Sequence, residues 1–157
     1  EMTPSERPIR MAATTVPDWA STLLGAAPVY AAEAGPADGY LVLAMEADCD
    51  IASLAAPGDA LATHTGRSLI VTRRVSAETS LCGETIQYRY FAPQHGVPED
   101  TATGSAMRVV AAYWQARGAG SELQALQRSA GGGWLQSRIE NDRTWIGGRI
   151  IEDRNAA

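Results

Sequence analysis

An α+β domain, with a sheet curled around one long helix, is the architecture this sequence predicts. Short β-branched or alternating segments recur along the chain, and the run 105–117 carries helical apolar spacing. The other helical segments are short, and they do not alternate regularly with strands. No Gly-x-Gly-x-x-Gly follows a strand, which argues against a doubly wound dinucleotide fold.

Residues 5–15 read as a modest strand through Ile9, Met11 and Ala13. Pro17 suits the first position of a short helix over 18–24, closed by Gly25 as its C-terminal cap. Strands are expected over 28–33 and 39–47, joined by a turn containing Gly-Pro and Asp-Gly. Two short helical turns, 50–56 and 57–63, part at Pro57-Gly58. The β-branched run 68–75 and the alternating run 86–92 are strands, with a loop over 76–83 between them.

The central helix spans 105–117, or about 103–117 with its entry. Ala106, Val109, Val110, Tyr113 and Trp114 line one face, while Ala111 and Ala112 leave most of the circumference apolar. A helix of that kind is buried. Gly118 ends it. Three further strands, 122–128, 134–140 and 144–152, are separated by Gly131-Gly132-Gly133 and Asn141-Asp142. Trp114, Trp134 and Trp145 read as core or surface aromatics, and Trp19 packs its small helix.

With 157 residues and 16.6 kDa, one domain with a real core is expected. The formal charge of -5 and pI near 5.0 argue against nucleic acid as a partner. The longest clearly apolar run, 40–45, is too short to span a bilayer, and the polar, Pro-bearing start is no secretory signal. A cytoplasmic protein without membrane association is therefore expected. Cys49 and Cys82 read as reduced thiols, although they could pair. Neither has metal-site spacing, and with only His64 and His95 beside them no metal is expected. Because the chain opens on Glu1 rather than Met, a preceding segment is expected, whether a tag, a processed stretch or a domain.

The chemistry concentrates in one junction, Arg89-Tyr-Phe-Ala-Pro-Gln-His-Gly-Val-Pro-Glu-Asp100-Thr-Ala-Thr-Gly104-Ser105-Ala106, immediately before the long helix. In one reading Asp100 or Thr103 is an ordinary N-cap and Gly104 relieves crowding. In the other, the N–H groups of Gly104, Ser105 and Ala106 cradle a carboxylate, the Ser105 hydroxyl adds a donor and Asp100 handles a proton or a substrate amine. A serine-hydrolase reading is weak. Thr-Gly-Ser-Ala-Met lacks the second Gly of a nucleophile elbow, and neither His64 nor His95 has a recognisable context. Cys82 reads as a semi-buried apolar residue, His95 as a solvated loop residue and the triple Gly as a flexible turn.

Arg89-x-Phe-Ala-Pro, Gly96-Val-Pro-Glu-Asp100, Thr103-Gly-Ser-Ala106 and a helix ending in Tyr113-Trp114 together resemble the PhzF family of phenazine-biosynthesis-like isomerases. Gln127, Ser129, Gly132-Gly133 and Gly147-Gly148 continue the pattern. The likeness covers essentially the whole chain, but only the second half of a typical member. It implies the diaminopimelate-epimerase-like fold, in which two similar domains each wrap a curved sheet around a central helix, with the active site in the cleft between them. It also implies cofactor-free proton transfer at carbon, as in isomerisation of dihydro-hydroxyanthranilate. By motif position Asp100 matches the family's proton-handling cleft aspartate, Ser105 its substrate-contacting serine and Gly104 the neighbouring backbone donor. This chain departs from the pattern at Thr101, where the family has Pro, and at Gly131, where it has Arg. The family's general-base Glu and Gly-His motif lie in its first half, and His64 stands in Thr-His-Thr.

The sequence thus predicts half of a PhzF-like isomerase acting on a small carboxylate-bearing metabolite, needing an N-terminal half-domain or a homo-oligomeric partner and no cofactor. The alternatives are a non-catalytic module that binds a small carboxylate or a protein, and a degenerate, self-associating domain.

Overall fold

The computed structural model describes residues 3–5, 9–99, 104–129, 132–140 and 143–150. Nine strands form one mixed sheet: β1 (Thr3–Ser5), β2 (Met11–Thr14), β3 (Tyr30–Ala34), β4 (Tyr40–Ala44), β5 (Ser68–Arg74), β6 (Ile86–Phe91), β7 (Glu122–Gln127), β8 (Gly133–Glu140) and β9 (Arg143–Ile150). Their spatial order is β1-β9-β8-β7-β6-β5-β4-β3-β2. Only β4–β5 and β6–β7 are parallel; the other neighbours run antiparallel. Parallel neighbours need a crossover. The one between β6 and β7 carries the long helix α2 (Gly104–Ala116). The one between β4 and β5 carries 3-10 turns at Ile51–Ser53 and Gly58–Thr63.

The strand expected over residues 5–15 is two strands, and they lie on opposite edges of the sheet. That split dictates the shape. A fully extended chain covers about 3.5 Å per residue, so Ser5 and Met11 are at most roughly 20 Å apart. Laid flat, the outer strands of such a sheet would stand about 38 Å apart at about 4.8 Å per step. The sheet must therefore bend into a trough that brings its edges together.

Helix α2 fills the hollow. Ala106, Met107, Val109, Val110, Ala111, Tyr113 and Trp114 pack against Ala32, Ala34, Val42, Ala44, Ile70, Ile86, Tyr88, Leu123, Ala125 and Leu135 of the inner face. The Trp114 indole N–H donates to Thr72 Oγ1 at 3.0 Å, and that hydroxyl donates to the Gln87 carbonyl at 2.8 Å, so both polar groups are satisfied. The helix is not buried on every side. Ser105, Gln115 and Ala116 are exposed, and Arg108 and Ala112 are half-buried. Helical spacing gathers these positions into one stripe, left open where the trough does not close. Nearly uniform apolarity hid that stripe, because Ala112 and Ala116 tolerate either environment.

A second core covers the outer face. Ala31, Leu41, Leu43, Leu69, Val71 and Phe91 point away from α2 and pack with Ala20, Leu24, Ile51 and Leu61. Period-2 alternation explains the division, since neighbouring strand residues point to opposite faces. The short helix α1 (Ala20–Leu24) begins two residues later than expected, with the Ala20 N–H donating to the Pro17 carbonyl at 3.1 Å. Gly25 closes it as expected, at φ 83°. Gly118, at φ 87°, ends α2. Gly148 has a steric reason to be Gly, since a Cβ there would stand 2.9 Å from the Trp134 carbonyl oxygen.

The β5–β6 connection is pinned by one carboxylate. Glu84 is buried and accepts from the Ser80 hydroxyl at 2.6 Å, the Cys82 N–H at 2.8 Å, the Leu81 N–H at 2.9 Å and the Gln87 amide at 2.8 Å. Burial alone would raise its pKa. The donors overcome that and hold it down to about 2. Cys49 is half-buried, and Cys82 is exposed rather than semi-buried. Burial pushes the Cys49 thiol upward in pKa, against the pull of nearby Arg73. No helix among the described residues is long and apolar enough to cross a membrane.

Candidate active site

Strand β6 delivers the chain to the mouth of the trough. After Phe91, Ala92 and Val97 exchange backbone hydrogen bonds of 2.9 and 3.0 Å, enclosing a 3-10 turn at Pro93–His95. Gly96 reverses the chain there at φ 79°, a conformation that disfavours residues with a Cβ. The Gln94 amide ties this loop to the Arg67 carbonyl at 2.6 Å.

Arg89 supplies the strongest restraint. Its Nε and Nη2 donate to the two oxygens of Glu99 at 2.7 and 2.9 Å, a bidentate pair. Its Nη1 donates to the carbonyls of Ile51 at 3.0 Å and Leu54 at 2.8 Å, and its guanidinium lies 4.8 Å from the Phe91 ring. One buried cation thus joins β6, the crossover turn and the residue immediately before Asp100. Because these contacts occupy the fork, Arg89 is not a free cation for a substrate. The ten-residue spacing of Arg89 and Glu99 does not by itself pair them. Their opposite charges flanking the loop were the available signal.

Asp100, Thr103 and Gly131 lie outside the described residues, as does the question of which group caps α2. Gly104 is the first residue of α2. Ser105 is exposed on its first turn, so its hydroxyl is accessible. Ala106 is completely buried, so its methyl belongs to the core. The first-turn N–H groups and the aligned peptide dipoles favour an anion there by about 0.3–1 kcal/mol.

Neither His supports a hydrolase site. His64 stacks on Trp19, with ring centroids 5.2 Å apart, in a polar cleft of about 170 Å³ shared with Glu33 and Arg67. Trp19 and Leu41 of that cleft belong to the outer core, on the face of the sheet opposite α2. His95 is exposed on its turn, as expected of a solvated loop residue. Among the described residues, no cluster of His, Cys, Asp or Glu is suited to a metal ion.

The family model described as phenazine biosynthesis-like protein matches residues 3–148. The chain belongs to this PhzC-PhzF family. A phenazine biosynthesis-like domain-containing protein of Rattus norvegicus is 44% identical over 64 residues, which are 38% of this chain and 22% of that protein. An uncharacterized isomerase of Pseudomonas aeruginosa is 36% identical over 117 residues, 74% of this chain and 42% of that protein. The crystal structure of a PhzF-family protein from Enterococcus faecalis superposes with TM-score 0.73 at 22% identity, covering 92% of this chain and 53% of that one. This likeness establishes a shared PhzF-type fold: a mixed sheet with one long helix packed on it. The chain therefore spans about half the length of these last two proteins.

Proposed function

We propose that this chain is the C-terminal half of a cofactor-independent isomerase or epimerase of the diaminopimelate-epimerase-like type. It would move a proton at carbon on a small carboxylate-bearing metabolite. The observation that carries the reading is the exposed Ser105 on the first turn of a trough-enclosed helix, in a family chain about half as long as its relatives. In this reading the N–H groups of Gly104, Ser105 and Ala106 hold the carboxylate, the Ser105 hydroxyl adds a donor, and Asp100 handles the proton. The Arg89–Glu99 pair anchors the backbone one residue before Asp100. The general base comes from a second wall, a separate N-terminal half or another chain. Relatives named as isomerases support the reaction class.

A second reading, a carboxylate-binding module without catalysis, is favoured by one feature: the family's Gly-His motif has no counterpart in the Thr-His-Thr context of His64. Titration of the chain with small carboxylates separates the two when solvent deuterium exchange into the ligand is followed alongside. Both readings expect binding that Ser105→Ala weakens about tenfold, the value of one charge-assisted hydrogen bond. Exchange at the ligand's acidic carbon, once a partner half is added, favours the isomerase; binding that never leads to exchange favours the module. Carboxylate binding indifferent to Ser105 contradicts both.

A further inference from the structure

At the far end of α2, some 18 Å from Gly104 at about 1.5 Å per residue, the open side of the trough forms a second concavity. This groove of about 300 Å³ is lined by Met11 and Ala13 of edge strand β2, Ala32 of β3, and Tyr113, Ala116 and Arg117 at the end of α2. Its floor is apolar, and the small side chains at 13, 32 and 116 make the room.

Arg117 is held in an unusual way. Its guanidinium lies 4.2 Å from the Tyr30 ring centroid and 4.8 Å from that of Tyr113, so both rings restrain it. Among the described residues no carboxylate pairs with it. Beneath it, Tyr113 is 96% buried, yet its hydroxyl oxygen has no partner at hydrogen-bond geometry. Burial raises the pKa of that phenol, and the Arg117 guanidinium, acting through its charge and as a donor at looser geometry toward the phenol oxygen, only partly opposes the rise; the phenol O–H itself stays free to donate. A neutral buried donor and a restrained cation without a counter-ion therefore stand at one end of an apolar slot. A helix C-terminus by itself repels anions, so the cation is what lets this groove accept one.

We infer that this groove is a second small-molecule site, separate from the start of α2, which binds an apolar carboxylate with its charged group at Arg117 and its hydrocarbon body over Met11, Ala13 and Ala32. The volume lies near the lower bound of roughly 300–1,000 Å³ for ligand pockets, which selects a compact ring or short chain. The inference does not depend on the isomerase reading.

Benzoate and cyclohexanecarboxylate are suitable probes, with benzyl alcohol as the uncharged control, and amide chemical shifts of the 157-residue chain report where each binds. The carboxylates should shift the amides of residues 11–13, 32 and 113–117, and benzyl alcohol should bind at least tenfold more weakly. Arg117→Gln should weaken the carboxylates at least tenfold, while the amide shifts away from residues 30 and 113–117 remain those of the folded parent. Ala13→Leu, which fills the slot from the edge strand, should abolish the groove shifts. Shifts confined to residues 104–107, equal affinity for the alcohol, or indifference to Arg117→Gln overturns the inference. So does concentration-dependent self-association that shifts the same groove amides without ligand, since a second copy would then be the occupant.

Discussion

Arg89→Ala is expected to destabilise the chain by about 3–5 kcal/mol, the usual cost of removing one partner from a buried ion pair. The loss exceeds that of a surface bridge because Arg89 is 7% exposed and serves Glu99 and the carbonyls of Ile51 and Leu54 together. Without the guanidinium, the Glu99 carboxylate and both carbonyls lose their donor. At about 2–4 °C per kcal/mol for a chain of this size, the midpoint should fall by roughly 10 °C. Arg89→Lys should recover only part of this, since an ammonium cannot make the bidentate fork and also reach the crossover turn. A fall below about 2 °C by calorimetry for Arg89→Ala would remove the clamp from this account.

Acid should reveal the second large effect. Glu84 titrates near 2 in the folded chain, against an ordinary value of 4.5. A depressed folded pKa gives stability that is fully present above the unfolded pKa and disappears as protons bind. The contribution is therefore complete above about pH 5 and lost progressively between about pH 5 and pH 2. Its size is roughly 2–3 kcal/mol, allowing for partial solvent screening. Glu84→Gln should be less stable than the parent at pH 7, and the gap should close as the pH approaches 2. Denaturant midpoints at several pH values give both curves; parallel curves across that window contradict the assignment.

The legibility of the fold varied with the range of the interactions that set it. The central helix, the turn between β3 and β4 and the Gly25 cap are governed by neighbours within a few residues, and all were readable. The division of residues 5–15 into two edge strands was not, because it is decided by pairing of Ser5 with Thr144 and of Met11 with Ala34. The open stripe on α2 was equally hidden, since alanine carries no signal for either environment. At the junction, the motif residues were legible as a group. The Arg89–Glu99 pair and the Glu84 cage depend on loops folding back, which local spacing does not encode. The outer-face cleft around Trp19 and His64 escaped for the same reason: its walls come from the end of β2, from the segment leading into α1, from β3 and β4 and from the turn preceding β5.

The proposed function makes one central claim, that this chain is one wall of a two-walled isomerase. The most direct measurement joins it, by co-expression or fusion, to the first half of a full-length relative. Solvent deuterium incorporation into dihydro-hydroxyanthranilate, and into a panel of small carboxylates with an acidic C–H, is then followed for the chain alone and for the joined protein. The account predicts exchange only in the joined protein, abolished by Asp100→Asn and reduced by Ser105→Ala. Exchange at full rate by the chain alone, or a folded joined protein that exchanges nothing while both walls are intact, would contradict it.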